Sequence, residues 1–346
     1  MRTTPDFHGL SQNLINWYSR EKRDLPWRQS KDPYRIWLSE IILQQTRVAQ
    51  GLPYYENFIH EYPTVHDLAD AEESKVLRTW QGLGYYSRAR NLHKTAKIIS
   101  KELSGSFPNN YEGLIKLPGV GPYTAAAIAS LAFNEAVPVL DGNVFRLMAR
   151  LFGLDHDIAN QSNRKYFMEV LEQLVPQDQP GDFNQAMMEM GALMCTPRNP
   201  SCDQCPVREA CYAFAHKQQE QLPVKLKKVK VTQKQFHYVV FEYGGTFGLK
   251  ERTGSGIWQG LFDFLLFEGD SFQPDHEWGE VTSSPVFKHI LTHQKIEARF
   301  YLVRFQEEGL FQEALNKYGL APYTYTQMLN LPKPKLLVNY IDQQNF

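Results

Sequence analysis

All four cysteines of this 346-residue chain fall inside one short stretch, CTPRNPSCDQCPVREAC, as Cys195, Cys202, Cys205 and Cys211. Thiolates that converge on a common centre fix the local chain path more tightly than a hydrophobic pattern does. The disulfides of a secreted protein would be spread along the chain, whereas four close thiols in a reducing compartment read as metal ligands. The spacing is C-x6-C-x2-C-x5-C, with one C-x2-C pair where a zinc ribbon more often shows two. On spacing alone, a structural Zn²⁺ and a [4Fe–4S] cube both remain open. In either case four protein ligands close the site, which makes it structural and not catalytic.

Upstream of this loop the apolar residues recur at helical spacing. HGLSQNLINWYSRE places Leu10, Leu14, Trp17 and Tyr18 on one face, and DPYRIWLSEIILQQ opens with Asp32 as N-cap and Pro33 at the first helical position. Gly and Pro at 82–84, 105–108, 118–122 and 176–181 keep the helices short. After about residue 230 the pattern changes to alternating aromatic and β-branched residues. FHYVVFEYGG, IEARFYLVRF and WQGLFDFLLFEGD read as strands. The expected architecture is a mainly α region over 1–216, a linker over 217–234, and an α+β domain over 235–346.

A net charge of −1 gives no global field for a polyanion, so any grip on nucleic acid must be local. The stretch KQQEQLPVKLKKVKVTQKQ carries six lysines against one Glu; it reads as a solvated linker, with phosphate contact as the alternative. No apolar run approaches the roughly 20 residues of a spanning helix. The opening MRTTPDFHGLSQN has neither an apolar core nor an Arg/Ser-rich stretch, so a cytoplasmic protein is expected.

LPGVGPYTAAAIASLAF is a glycine-containing turn that runs into a small-residue helix. Gly119, Val120 and Gly121 would present backbone amides to an anion at the start of that helix. Such a contact positions a phosphate backbone and carries no base information. Glu40 lies among Ile36, Trp37 and Leu43 on a helical pattern, where lost solvation raises a carboxyl pKa and suits a general acid. The plainer reading is a buried Glu paired with an Arg. Asp141, before GNVFRLMARLF, reads first as an N-cap.

Taken together, LPGVGPYTA, VLDGNVFRLMARL and the cysteine loop resemble the helix–hairpin–helix DNA glycosylase superfamily that includes endonuclease III. SEIILQQTRV and QGLGYYSRARNLH narrow the likeness to the MutY-type adenine DNA glycosylases, over almost the whole chain. The resemblance implies a [4Fe–4S] cluster on the four cysteines. It implies that Glu40 protonates adenine at N7 and that Asp141 steadies an oxocarbenium-like transition state, with Asn143 in the catalytic pocket. Endonuclease III has a nucleophilic lysine where this chain has Tyr123, so base removal without efficient strand cleavage is expected.

The resemblance further implies that Trp27, Arg28, Gln185 and Met188 line a pocket for an extruded adenine. Gln45, Thr46, Leu83 and Tyr85 would enter the stack or touch the opposite base. The C-terminal domain resembles the family's Nudix-like domain but lacks a G-x5-E-x7-R-E-x2-E-E pattern after residue 235, so 8-oxoguanine recognition and not pyrophosphate hydrolysis is implied. The usual Phe-Ser-His recognition loop stands here as Leu291-Thr292-His293, which puts Thr292 and His293 at the lesion. The expected partner is double-stranded DNA with A opposite 8-oxoguanine or guanine. The protein is expected to be a nucleoid-associated bacterial monomer with no membrane contact. The alternatives are a bifunctional endonuclease III-like glycosylase/lyase and a catalytically silent DNA lesion-binding protein.

Overall fold

The structure is a computed structural model that describes residues 6–226, 231–275, 278 and 280–344. It divides into two compact units, Met1–His66 with Lys94–Lys227, and Asp67–His93 with Lys228–Phe346. Residues 227–230, part of the basic run expected as a linker, lie outside the described residues.

The first unit is helical. Asp6 caps the helix Phe7–Glu21, its Oδ1 accepting from Gly9 N at 3.0 Å, and Leu10, Leu14, Trp17 and Tyr18 are buried as the spacing predicts. They share a core with Val144, Leu147 and Met148 of the helix Gly142–Phe152 and with Phe183, Met187 and Met190 of the helix Pro180–Leu193. Each such side chain taken fully out of water contributes about 1.5–3 kcal/mol.

The helix Pro33–Leu43 starts at the expected cap, with Tyr34 N donating to Asp32 Oδ1 at 2.9 Å. It is buried continuously from Ile36 to Ile42, so it runs through the interior and takes Glu40 with it. The short helix Tyr111–Leu114 is capped by Asn110 and leads through a turn into the helix Pro122–Phe133. Gly119 sits at φ +74°, a left-handed conformation that glycine adopts without a Cβ clash. Buried Ala125–Ala129 then let this helix pack on Pro33–Leu43 and Pro180–Leu193.

The stretch 218–226, expected as solvated linker, is docked on the first unit. Leu222 is buried, Arg150 Nε donates to its carbonyl at 3.0 Å, and Ile158 N donates to Val224 O at 3.0 Å. Hydrogen bonds from the Arg150 side chain and the Ile158 backbone, with Leu222 and Val224 packed on the core, hold this segment, which its lysine content hides.

The second unit is a mixed sheet of β1 (Thr232–Tyr243), β2 (Thr246–Glu251), β3 (Phe262–Asp263), β4 (Leu265–Glu268), β5 (Val281–Ser283), β6 (Phe287–Ile290), β7 (Gln294–Arg304) and β8 (Ala321–Thr324). β1 and β7 pair in parallel at its centre, from Thr232 opposite Gln294 to Glu242 opposite Arg304, and the other described pairings are antiparallel. The third expected strand is divided at Phe264, because β3 pairs with β2 while β4 pairs with β1. β1 is covered on both faces, which explains its near-continuous apolar run. Val239 and Phe241 pack with Phe311 and Leu315 of the helix Glu308–Tyr318. Tyr238 stacks on Phe300, which stacks in turn on Tyr340 of the helix Lys335–Ile341. Among the described residues no helix is long and apolar enough to cross a membrane.

Candidate active site

Glu40 is 7% exposed, and its partner is not an arginine. The Tyr123 hydroxyl donates to Glu40 Oε2 at 2.7 Å and lies 3.2 Å from Met188 Sδ. Burial pushes the Glu40 carboxyl up to about 7, the Tyr123 hydrogen bond opposes this, and the nearby Asp141 charge adds to it. A carboxyl in this setting holds its proton near neutrality and can deliver it.

The ion pair that sequence reasoning offered for Glu40 is made instead by Glu189, one turn beyond Gln185. Arg28 Nη1 and Nη2 grip its two carboxyl oxygens at 2.9 and 2.8 Å, and Arg23 adds contacts at 2.9 and 2.5 Å. Burial alone would raise the Glu189 pKa, but the Arg23 and Arg28 hydrogen bonds hold it at about 2. The Arg28 charge also lowers the Glu40 pKa, as the last of the causes acting on it, while the Arg28 side chain itself is held by Glu189. The sequence signal of Glu189 was a lone acid among methionines in FNQAMMEMGA.

Asp141 caps the helix Gly142–Phe152, its Oδ1 accepting from Val144 N at 2.7 Å, while Oδ2 accepts from Asn143 Nδ2 at 2.9 Å. Burial raises its pKa, and the Val144 and Asn143 donors and the Arg146 charge oppose that rise. Capping and a place beside Glu40 are therefore one arrangement. Arg146, absent from the sequence-derived set, donates to Asn143 Oδ1 at 2.9 Å, Gly191 O at 2.6 Å and Cys195 O at 2.7 Å. The signal for it was one of two arginines, Arg146 and Arg150, on a helix whose remaining core residues are apolar.

Trp27 is buried edge-on against Tyr55, Gln185 is buried, and Arg28 sits in the Glu189 fork. Gln45 is exposed at φ +58°, and Thr46 is half-buried with its hydroxyl on Gln44 O. In the hairpin, Gly119 is exposed, whereas the Val120 side chain is buried and its N–H already donates to Leu117 O at 3.1 Å. Gly121 caps the following helix with open space where a Cβ would stand.

In the second unit Leu83 is buried, while Tyr85 is 46% exposed at φ +50° with its hydroxyl on Thr292 Oγ1. Thr292 and His293 are exposed, and with Leu83 and Tyr85 they line a cavity of about 490 Å³. Such a volume accommodates a small organic ligand such as a nucleobase.

The four cysteines are half-buried, unpaired in disulfides, and line a single pocket. Burial pushes Cys205 up to about 11, so a bare thiolate is disfavoured there. Among the described residues no three of His, Cys, Asp and Glu approach closely enough for one metal ion. Four sulfur donors lining one pocket are the kind of ligand set that an iron–sulfur cluster takes. Arg150 Nη1 lies 3.4 Å from Cys195 Sγ and binds the Thr196 carbonyl at 2.7 Å, which ties the loop to the core.

A family model for HhH-GPD superfamily base excision DNA repair proteins matches residues 38–177, which include Glu40, Tyr123 and Asp141. A second, for the iron-sulfur binding domain of endonuclease III, matches residues 195–211. The adenine DNA glycosylase of Buchnera aphidicola subsp. Schizaphis graminum is 37% identical over 293 residues, 84% of this chain and 83% of that protein. The adenine DNA glycosylase of Homo sapiens is 45% identical over 219 residues, 61% of this chain and 40% of that protein. Among solved structures, a thermostable thymine-DNA glycosylase superposes with a TM-score of 0.55 at 30% identity, covering 60% of this chain and 96% of that one. A non-covalent endonuclease III–DNA complex gives a TM-score of 0.52 at 20% identity, over 62% of this chain and 100% of that one, a likeness of fold.

Proposed function

Because this chain belongs to the adenine DNA glycosylases, with DNA as its partner and a [4Fe–4S] cluster on its cysteine loop, we propose that Glu40 is its general acid and that its substrate is adenine opposite 8-oxoguanine or guanine. The extruded adenine enters between Trp27, Arg28, Gln185 and Met188. Tyr123 engages Glu40 Oε2, so the proton rides on Oε1 and passes to adenine N7, which makes the base a leaving group. As the glycosidic bond breaks, Asp141 stabilises the positive charge that develops on the sugar, and Asn143 holds that carboxylate in place. Water then adds to the sugar, which leaves free adenine and an abasic site.

Position 123 carries a phenol and not an amine, so no Schiff base forms there and the strand stays intact. Cys195, Cys202, Cys205 and Cys211 hold the cluster, which braces the loop; the proton and water steps belong to Glu40 and Asp141. Gly119 and Gly121 position the DNA backbone, with Gln45 and Thr46 at the stack; Val120, whose N–H is committed to Leu117 O, packs the turn instead. Leu83, Tyr85, Thr292 and His293 read the base opposite the adenine. Leu83 acts there through packing, since its side chain is buried. The second unit serves as a Nudix-like reader, and the enzyme works as a cytoplasmic, nucleoid-associated monomer.

The observation that carries this reading is a buried carboxyl, poised near neutrality and hydrogen-bonded to the residue that stands where a lysine nucleophile would. The test is a duplex with A opposite 8-oxoguanine, incubated with the protein and analysed with and without hot alkali. Breaks only after alkali are expected. Breaks without alkali would establish a lyase, and tight binding with no breaks would establish a silent reader.

A further inference from the structure

The loop 253–261 of the second unit carries Gly256, Ile257 and Trp258 into the wall of the cavity that also holds Tyr85 and Thr292. Trp258 stands at φ +64°, a left-handed conformation that bulky side chains avoid unless their surroundings enforce it. Several contacts do so. The Trp258 ring is 7% exposed, with its faces and edges against Phe236, His289 and the Arg252 guanidinium. Arg252 is itself fixed on Asp263 at 2.6 Å. The loop base is closed by Gly260 N on Arg252 O at 2.8 Å and Arg252 N on Leu261 O at 2.9 Å.

The remaining hold comes from the helix Ser87–Lys101, which follows Tyr85. Arg90 Nη1 donates to Gln259 O at 2.5 Å and its Nη2 to Gln259 Oε1 at 3.3 Å. Two arms of one planar guanidinium therefore grip both oxygens of the residue after Trp258, a geometry that lysine cannot reproduce. A Cβ on Gly260 would lie 3.2 Å from Leu77 Cδ1, so the loop rests flush against the 67–93 segment at this point.

We propose that Arg90 and Gln259 form a latch that holds Trp258 as one wall of the lesion-reading cavity at a set distance from Tyr85, and that this latch determines discrimination between 8-oxoguanine and guanine. Arg90 is a positioning residue: it acts through Trp258, and its guanidinium is committed to the loop. This inference rests on the reading of the cavity as the site of the base opposite adenine.

The experiment measures the affinities of wild type, Arg90→Ala, Arg90→Lys, Gln259→Ala and the double variant Arg90→Ala with Gln259→Ala, at titrated active fraction, for duplexes with A opposite 8-oxoguanine, A opposite guanine, and no mispair. The latch predicts that Arg90→Ala lowers the ratio of lesion to guanine affinity about tenfold, as befits the loss of two hydrogen bonds. Arg90→Lys, which retains one donor, gives an intermediate ratio. Gln259→Ala lowers the ratio partway, and less in the Arg90→Ala background than in wild type. Equal weakening on all three duplexes would identify Arg90 as a phosphate contact and overturn the latch, as would an unchanged ratio. A wild-type ratio near one would overturn the reading of the cavity itself, and the latch with it.

Discussion

Replacing Glu40 by Gln tests the acid through stability as well as through chemistry. Burial lifts the Glu40 pKa from 4.5 to about 7, a displacement worth about 3 kcal/mol. The sign follows from proton binding. Between these two values the folded protein keeps the proton that the unfolded chain has released, so stability falls as pH rises across that window. Above about pH 7 the whole cost is present. Glutamine has the same shape, stays neutral at every pH, and still offers an oxygen to the Tyr123 hydroxyl. Glu40→Gln is therefore expected to melt roughly 5–10 °C higher than wild type at about pH 8, at a few degrees per kcal/mol. At about pH 5 the two should nearly coincide. Differential scanning calorimetry of both proteins at both pH values reads this directly, and a parallel assay should find duplex binding retained and base release abolished. A melting difference independent of pH, a variant less stable than wild type at pH 8, or persistent turnover would refute the reasoning.

Tyr123→Phe removes the hydrogen bond that lowers the Glu40 pKa while leaving the site buried; base release should persist, with its alkaline limb moved to higher pH in a pH–rate profile. Glu189→Ala leaves Arg28 and Arg23 without their buried carboxylate and should cost about 3–5 kcal/mol in denaturant unfolding, with Arg28 displaced from the proposed adenine pocket. At Gly191 a Cβ would lie 2.7 Å from Asn143 Cβ and 2.9 Å from its carbonyl oxygen. Gly191→Ala should therefore push Asn143 off Asp141 and lower the single-turnover rate at saturating enzyme by more than it lowers DNA affinity.

The helical first unit was legible because its signals are local. Asp32 and Pro33 announce a helix start, and the Leu10–Leu14–Trp17–Tyr18 stripe announces a buried face. Glu40 was legible because an acid among Ile, Trp and Leu is out of place on an interior helix. Glu189 and Arg146 were not, since their meaning lies in contacts with residues 161, 166 and 49 positions away in sequence. The grouping of Asp67–His93 with the sheet unit was hidden for the same reason. Hydrophobic periodicity describes the faces of that segment and says nothing about which partner covers them. The division of the third strand at Phe264 depends on two different pairing partners, which a strand pattern cannot encode.

The central claim is that a single buried carboxyl, protonated near neutrality, drives base release. Its most direct test is the single-turnover rate of adenine release by the wild-type enzyme on duplex with A opposite 8-oxoguanine, followed from about pH 5 to about pH 9. With Glu40 as the acid, the rate falls above about pH 7, approaching tenfold for each further pH unit. A rate that stays level to pH 9 would contradict it.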